Sequence, residues 1–208
     1  GEGERVRIRL FSERAGFDEY AARHAPMHVG YKGYATTEEI VAVMPDSSDE
    51  AVGLLMHEIC HTLLHRAIPR PPPWFNEGLA CYYSTYRRRL GLLRFGQMHE
   101  GRLMAFRKAI RAKEHLKLGD LIRLTPQEFY RAQPHGGPTA QAESLAYTES
   151  WALVYFLLNA PGKEYRGKFG QYFERLRAGE DSVAALEKVY GPDLGKLERE
   201  WVNYFWNW

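Results

Sequence analysis

The sequence lacks most of the features that mark a specialised class of protein. Its 208 residues include only two cysteines, which is too few for a disulfide framework, so packing must supply the stability. Neither sign of charge dominates, because 28 lysines and arginines accompany 26 acidic residues, and no large net field indicates a nucleic-acid partner. The most apolar run, WALVYFLL at residues 151–158, is far shorter than the roughly 20 residues of a membrane-spanning helix. We therefore expect no nucleic-acid partner and no membrane span.

The chain also lacks the signals that would divide or target it. Its first residues, GEGERVRIRL, lack the three parts of a signal peptide: a positively charged start, an apolar stretch and a small-residue cleavage site. A processed chain would lack these features too, so the compartment stays open, and an extracytoplasmic location in a bacterium would require that a signal peptide has been removed. There is no internal repeat, no low-complexity linker and no signal for an oligomeric state. We expect one domain over residues 1–208, sheet-rich at 1–48 and helical at 49–208.

The apolar pattern predicts an α+β fold with a small N-terminal mixed sheet and a mainly helical body. Strands are predicted at residues 5–11, 28–34 and 39–44, and a short helix at 16–24. Longer helices are predicted at residues 51–64, 74–86, 99–112, 126–132, 143–158, 165–178, 183–190 and 194–206. The prolines at 71–73 cannot continue a helix, so they predict a corner between the first two long helices.

One stretch of the chain places metal-ligating side chains at helical spacing. In HEICH, residues 57–61, His57 and His61 are one turn apart, so their imidazoles lie on one face of a helix about 6 Å apart. Glu58 is next to the first histidine, from where a carboxylate can reach a water at the metal without binding the ion. Burying these three side chains in an apolar helix is costly without a partner, and a metal ion satisfies all three. The sequence therefore predicts a metal site.

The third ligand decides the kind of metal site. His65 continues the four-residue series, but it lies about 6 Å further along the same straight helix and should miss the ion. A glycine turn after the second histidine would let a third one return, and no such glycine follows His61. Glu77 falls in the next predicted helix, after the proline corner that turns the chain back. We predict Glu77 as the third ligand; the alternative is a solvated glutamate at a helix start.

These residues resemble the gluzincin metallopeptidases, the clan that includes thermolysin and the zinc aminopeptidases. The resemblance rests on His57-Glu58-x-x-His61 followed by NEGLA at residues 76–80, and more narrowly it is to an uncharacterised bacterial family of gluzincin-like domains with the same EGLA ending. It implies a thermolysin-like catalytic core, one Zn²⁺ ion bound by His57, His61 and Glu77, and Glu58 as the general base.

A second segment, YTESWALV at residues 147–154, resembles the helix start at which a tyrosine of zinc aminopeptidases donates a hydrogen bond to the tetrahedral intermediate. This resemblance gives Tyr147 the role of oxyanion partner. The alternative is a tyrosine that only packs at the helix N-terminus. His135, in the Gly- and Pro-rich stretch 134–141, is a candidate second oxyanion donor, and the alternative for it is a solvated loop histidine.

The two cysteines lie where the sequence departs from the resemblance. In thermolysin-like proteins an acid one turn after the glutamate ligand orients a metal-binding histidine, and here Cys81 stands at that position. A thiol is a poorer acceptor, so support for the histidine must come from elsewhere or be weaker. Cys60 is one turn after His57 and would approach Cys81 if the helices pack. A disulfide, two small buried apolar residues and a cysteine zinc ligand all stay open.

The kind of substrate is predicted partly from a binding segment that the sequence lacks. The Gly-x-Met-Glu-Asn segment by which zinc aminopeptidases hold a free amino terminus is missing from residues 38–50, so an exopeptidase has no support. In gluzincins the strand before the metal helix is a sheet edge that pairs with extended peptide, and residues 39–44 occupy that place. We therefore predict an endopeptidase acting on peptide or protein substrates along that edge. The alternatives are a catalytically weakened or inactive gluzincin-like domain that binds peptide or protein, and a hydrolase of a non-peptide amide.

Overall fold

The computed structural model describes residues 5–131, 145–162 and 164–208, and it confirms the α+β class with a small N-terminal mixed sheet and a mainly helical body. The sheet contains β1 (Arg7–Phe11), β2 (Gly33–Ala35) and β3 (Glu39–Val43). Between β1 and β2 lie α1 (Arg14–His24) and a 3₁₀ turn at Pro26–His28. The thermolysin-like character of the core stays a prediction.

The position of β3 in the sheet corrects one expectation. The strand order is β1-β3-β2, with β1 parallel and β2 antiparallel to β3, so the sheet is mixed. The segment predicted at 39–44 does form a strand, but it is central and not an edge. Its sequence explains this, because Ile40, Val41 and Ala42 are buried, as a strand covered on both faces requires. An extended peptide cannot pair with β3, because both of its sides already carry a strand.

The two long helices after the sheet are joined by the predicted corner. The first, α2 (Ser48–Ala67), begins after Ser47, whose side chain accepts a hydrogen bond from the backbone of Glu50. The second, α3 (Pro73–Tyr83), has a proline at its first position, where no backbone donor is lost. The segment between them contains Pro71 and Pro72 and turns α3 back against α2.

The remaining helices of the described chain build the body around one buried helix. They are α4 (Glu100–Ala112), α5 (Leu118–Leu121), α6 (Pro126–Arg131), α7 (Leu145–Asn159), α8 (Glu164–Arg177), α9 (Ser182–Tyr190) and α10 (Leu194–Trp206). The short α5 was not predicted. Nearly all of α7 is buried, as expected for a helix without a polar face. Among the described residues, no helix combines the length and apolar character needed to cross a membrane.

A close contact between α3 and α7 explains the glycine of the EGLA segment. A Cβ atom at Gly78 would lie 2.6 Å from the backbone oxygen of Ser150 and 2.7 Å from Cγ2 of Val154. No other residue type fits this contact without moving one of the two helices. Gly78 therefore fixes α3, and with it the neighbouring Glu77, against the central helix of the body.

The segment after α3 is a second correction. The second long helix was predicted to extend to residue 86, which would place Arg87, Arg88 and Arg89 directly after a helix end. The helix instead ends at Tyr83, and the chain forms a β-hairpin of β4 (Tyr86–Arg89) and β5 (Leu92–Phe95). Its turn residues, Leu90 and Gly91, have φ angles of 50° and 75°. The arginines therefore lie on a strand and do not complement a helix dipole.

A buried carboxyl on α7 predicts how stability depends on pH. Glu149 is fully buried and accepts hydrogen bonds from the backbone N–H of Leu116 at 3.0 and 3.2 Å. Burial raises its pKa from 4.5 to about 8; the Leu116 bond opposes this rise, and the nearby charge of Glu198 adds to it. The folded chain thus holds a proton that the unfolded chain releases, so stability should be lost as the pH rises between these two values.

The test compares wild type with Glu149→Gln, which keeps an acceptor for Leu116 but does not titrate. Denaturant unfolding is measured across this pH range. The difference in unfolding free energy between the two proteins should fall by up to about 1.4 kcal/mol per pH unit. A difference that does not vary with pH would show that Glu149 is ionised in the folded chain.

Candidate metal centre

The structure brings together His57, His61 and Glu77, the three residues predicted as metal ligands. Nε2 of His57 lies 3.1 Å from Nε2 of His61, and Oε2 of Glu77 lies 3.7 Å and 3.6 Å from these two nitrogens. Within the described residues this is the group of histidine, cysteine and acidic side chains whose ligand atoms converge. The side chain of Glu77 is 5% exposed and that of His57 is 22% exposed, so the group is open to solvent on the His57 side.

The hydrogen-bond partner of His61 indicates that the converging nitrogen of this residue is an acceptor. Nδ1 of His61 lies 2.9 Å from Oδ1 of Asn76, so the ring proton is on Nδ1 and Nε2 carries a lone pair. His57 is hydrogen-bonded to the backbone of Ala80, and burial, with smaller effects of His61 and Arg102, lowers the pKa of His57 well below its usual value. Two imidazole nitrogens and one carboxylate oxygen therefore face one another, an arrangement that a bound cation would stabilise.

The distances also fit a small tetrahedral ion. Zinc binds imidazole nitrogen and carboxylate oxygen at about 2.1 Å, which separates two tetrahedral ligands by about 3.4 Å. The three observed separations, 3.1, 3.6 and 3.7 Å, lie on both sides of that value. Two histidines and one carboxylate are a donor set suited to zinc, and they leave the fourth position open to water or substrate. The residues present therefore fit the zinc ion that the resemblance implies.

Asn76 supplies the histidine support that was expected to come from elsewhere than Cys81 or to be weaker. Its Oδ1 accepts from His61, while its Nδ2 lies 3.4 Å from Oε1 of Glu77 and 3.5 Å from the hydroxyl of Tyr130. Because Nδ2 faces these two oxygens, the orientation of the amide is fixed by its own contacts. Cys81, at the position of the expected acid, is 1% exposed. The support for His61 thus comes from the residue before the glutamate ligand and not from the turn after it.

Substituting Asn76 should weaken metal binding. In Asn76→Ala the Nδ1–H of His61 loses its acceptor, so the ring is no longer held in one orientation. We expect zinc affinity to fall by about 10- to 100-fold, measured by competition with a chromophoric chelator. Asn76→Asp keeps an acceptor oxygen for His61 and should bind zinc more tightly than Asn76→Ala. Equal affinity of Asn76→Ala and wild type would remove Asn76 from the account of the site.

Glu58 lies next to the group without joining it. The residue is 6% exposed, and burial raises its pKa to about 7, an effect that His61 opposes and the carboxylate of Glu77 reinforces. A cation bound at the site would favour the ionised form. The β2 backbone approaches this side chain closely, because a Cβ atom at Gly33 would lie 3.2 Å from Oε1 of Glu58. Glu58 is thus held between the metal group and β2 at a pKa suited to a general base.

Tyr130 is a site residue that the sequence pattern did not identify. Its hydroxyl donates to Oε1 of Glu77 at 2.9 Å, whereas Oε2 of the same carboxylate faces the histidines. The two oxygens of Glu77 therefore have different partners, and the hydroxyl of Tyr130 keeps Oε1 away from the metal position. Tyr130 lies on α6, more than 50 residues from Glu77 in the sequence, and no local motif marks it.

Tyr147, the predicted oxyanion partner, lies at the start of α7 beside the same carboxylate. Its ring is 5.0 Å from that of Phe129 and 6.4 Å from that of Tyr130. Burial, followed by the charge of Glu77, raises the pKa of Tyr147, so its hydroxyl is a neutral donor. Within the described residues that hydroxyl makes no hydrogen bond. His135, the other candidate donor, lies outside the described residues.

The two tyrosines should have separable effects. Tyr130→Phe removes the donor to Oε1 of Glu77, and we expect zinc affinity to fall about tenfold. Tyr147→Phe should leave zinc affinity unchanged and, if the site hydrolyses peptides as the resemblance implies, lower kcat about 100-fold. Chelator competition and steady-state kinetics on both variants check this. The assignment would be contradicted if Tyr147→Phe weakened zinc binding as much as Tyr130→Phe.

The remaining candidates lie outside the metal group. Cys60 and Cys81 form no disulfide with each other, and neither belongs to the converging group. Burial raises the pKa of Cys60 to about 12, which keeps it a thiol, whereas zinc binds thiolates. His65 is hydrogen-bonded to the backbone of Pro69, and it lies outside the group, as helix geometry predicted.

Fold and site together define the class as an α+β protein with a His-His-Glu group that could hold a metal ion. The chain belongs to the family described as "Protein of unknown function (DUF1570)", which matches residues 48–176 and therefore more than half of the chain. The matched region contains α2 through α7, and thus all three residues of the group together with Glu58, Asn76, Tyr130 and Tyr147. No curated protein and no solved structure matches the chain.

Proposed function

We propose that the protein is a zinc-dependent metallopeptidase that cleaves peptide bonds within extended segments of peptide or protein. The observation that carries this proposal is the convergence of three ligand atoms, from His57, His61 and Glu77, with a buried carboxyl beside them. A zinc ion bound there would polarise the scissile carbonyl and acidify the attacking water. The side chains around the site would then have to transfer the proton of the attacking water and stabilise the negative charge on the carbonyl oxygen.

Glu58 is the residue suited to move the proton. Its carboxylate accepts a proton from the attacking water and later delivers it to the leaving amine, which requires a pKa near that of the surrounding solution. Burial raises the pKa of Glu58, which favours its holding the proton for the leaving amine, and a bound cation would favour the ionised form that accepts it. Because the residue is 6% exposed, bulk water has little access to compete for the proton.

Tyr147 is the residue suited to stabilise charge. A negative charge develops on the scissile carbonyl oxygen as water attacks, and a preorganised neutral donor stabilises it. The Tyr147 hydroxyl is such a donor, because its pKa is raised and no described residue occupies it. Its neighbour Tyr130 is already bound to Glu77, so Tyr130 has a positioning role for the metal ligand.

The strand proposed to bind the substrate is β2, since β3 is central. In the described part of the chain β2 pairs only with β3, so its other side is an unpaired edge. This edge is on the strand that approaches Glu58 through Gly33. An extended peptide added to a sheet edge is held by backbone hydrogen bonds and so is recognised with little dependence on sequence. This placement favours an internal peptide segment over a free terminus.

The test is cleavage of a diverse peptide library by the zinc-loaded protein, followed by mass spectrometry. The proposal expects products from internal cleavage, their loss after chelation and their return when zinc is restored. Zinc binding at one ion per chain without any cleavage would support the weakened or inactive peptide-binding domain instead. Release of single terminal residues would contradict the endopeptidase assignment.

A further inference from the structure

The hairpin of β4 and β5 has a surface that neither the metal group nor the core uses. Its sequence from residue 86 to 95, YRRRLGLLRF, contains four arginines, three leucines and no acidic residue. All four arginines are exposed, and so are the three leucines: Leu90 is 93%, Leu92 69% and Leu93 39% exposed. We call residues 86–95 the basic hairpin.

The register of the basic hairpin separates its apolar tip from its charged flanks. Arg87 is paired with Arg94, which places two like charges directly across the strands. Arg88 and Arg89 are paired with Leu93 and Leu92, nearer the turn. Leu90 stands at the turn itself, so apolar side chains form the end and arginines flank them on both strands. Within the described residues, no ion pair involves any of these four arginines.

Several local features of the basic hairpin are unfavourable for the isolated chain. Leu90 has a φ of 50°, in the left-handed region that Asn or Gly would occupy with less strain in such a turn. The residue also exposes almost its entire apolar side chain, and two arginines face each other without an acid. Departures of this kind are expected where a segment serves binding more than stability.

The base of the basic hairpin is fixed to the helices of the metal group. The hydroxyl of Tyr86 donates to Oδ1 of Asp49 at 2.6 Å, in the first turn of α2, and its ring packs on Phe95 at 5.9 Å. Thr85, which follows α3, donates through Oγ1 to the backbone oxygen of Gln97 at 2.7 Å. The basic hairpin is thus a fixed projection from α2 and α3.

We propose that the basic hairpin docks the protein on an anionic phospholipid surface. One guanidinium group can donate two parallel hydrogen bonds to the oxygens of a phosphate. The leucines of the tip would enter the boundary between headgroups and acyl chains. This partner satisfies the charge and the apolar tip together. A nucleic acid would neutralise the arginines but would offer the leucines no apolar contact, and the aromatic residues that could stack on bases lie at the base of the hairpin. Because α2 and α3 are fixed to the hairpin, docking would hold the metal group near the lipid surface.

The test is sedimentation of the full chain with vesicles of phosphatidylcholine, with and without phosphatidylserine. It needs neither metal nor peptidase activity, so its outcome is independent of the proposed function. Wild type should bind only the vesicles that contain phosphatidylserine. Arg87→Ser with Arg94→Ser should weaken this binding about 30-fold, and Leu90→Ser with Leu92→Ser at least about tenfold.

The matched control is Lys108→Ser with Arg111→Ser, which removes the same charge from exposed positions on α4 and should change binding less than about twofold. Thermal unfolding checks that all variants are folded. Absence of wild-type binding to anionic vesicles would overturn the proposal, as would equal weakening by the hairpin and α4 pairs of substitutions. A leucine variant that binds vesicles like wild type would also overturn the proposal. If the arginine variant in that case also lost binding to duplex DNA, the basic hairpin would be a general site for polyanions.

Discussion

Glu58→Gln is expected to lower kcat/KM for peptide hydrolysis by about 10²- to 10⁴-fold, the range for a lost general acid or base. Glutamine has nearly the shape of glutamate, so it fits the space beside Gly33, but its amide cannot accept the proton of the attacking water. Zinc affinity should change little, because the carboxyl of Glu58 is not among the three converging ligand atoms. The measurement pairs steady-state kinetics with a zinc titration of the same preparation.

The matched control for this substitution is Glu50→Gln, which changes an exposed glutamate in the first turn of the same helix. It should leave both activity and zinc affinity at the wild-type level. If Glu58→Gln retained full activity with zinc bound, the proton-transfer role would be wrong even though the metal group stood. Loss of zinc in Glu58→Gln would instead place Glu58 among the ligands.

His61→Ala is expected to remove zinc binding almost completely. The substitution deletes one of three protein ligands and leaves Oδ1 of Asn76 without its donor, so the loss should exceed the roughly 100-fold effect of disturbing a supporting residue. Activity should be lost together with the metal, and added zinc should not restore it at concentrations that saturate wild type. Isothermal titration of zinc into the metal-free chain measures the change directly.

His65→Ala is the matched control, because His65 lies one turn further along α2 and outside the converging group. It should bind zinc as wild type does. Equal losses in His61→Ala and His65→Ala would indicate that zinc binds α2 in a different arrangement. If His61→Ala retained zinc, the ion would have to be bound by other residues.

The converging group could be predicted because its signal is local. His57, Glu58 and His61 lie within five residues of one helix, where a spacing of four already places two imidazoles on one face. Glu77 required the proline corner, which the sequence displays as PRPPP at residues 69–73. In each case the geometry follows from a helix period or a chain break.

The supporting residues could not be predicted in the same way. Tyr130 reaches Glu77 from another helix, and its position depends on how α6 packs. Asn76 did have a signal, because it directly precedes Glu77 in NEGLA, but an asparagine near a helix start is usually assigned to capping. The expected support was therefore sought at Cys81, one turn beyond the ligand.

The strand errors have a different cause. The sequence of residues 39–44 predicts a strand but not its neighbours, and pairing with β1 depends on the distant segment Arg7–Phe11. In the basic hairpin, Leu90 adopts the left-handed conformation, for which turns prefer Asn, Asp or Gly, so this position carries no turn signal in the sequence. Local propensity therefore extended the helix by three residues and missed the hairpin.

Zinc X-ray absorption spectroscopy of the loaded chain measures directly whether two imidazoles and one carboxylate hold a zinc ion. We expect one ion per chain, scattering from two imidazole rings, and nitrogen and oxygen neighbours at about 2.0–2.1 Å, with no sulfur. A sulfur neighbour at about 2.3 Å would assign Cys60 or Cys81 as a ligand and contradict the proposed site. A chain that takes up no zinc would contradict it as well.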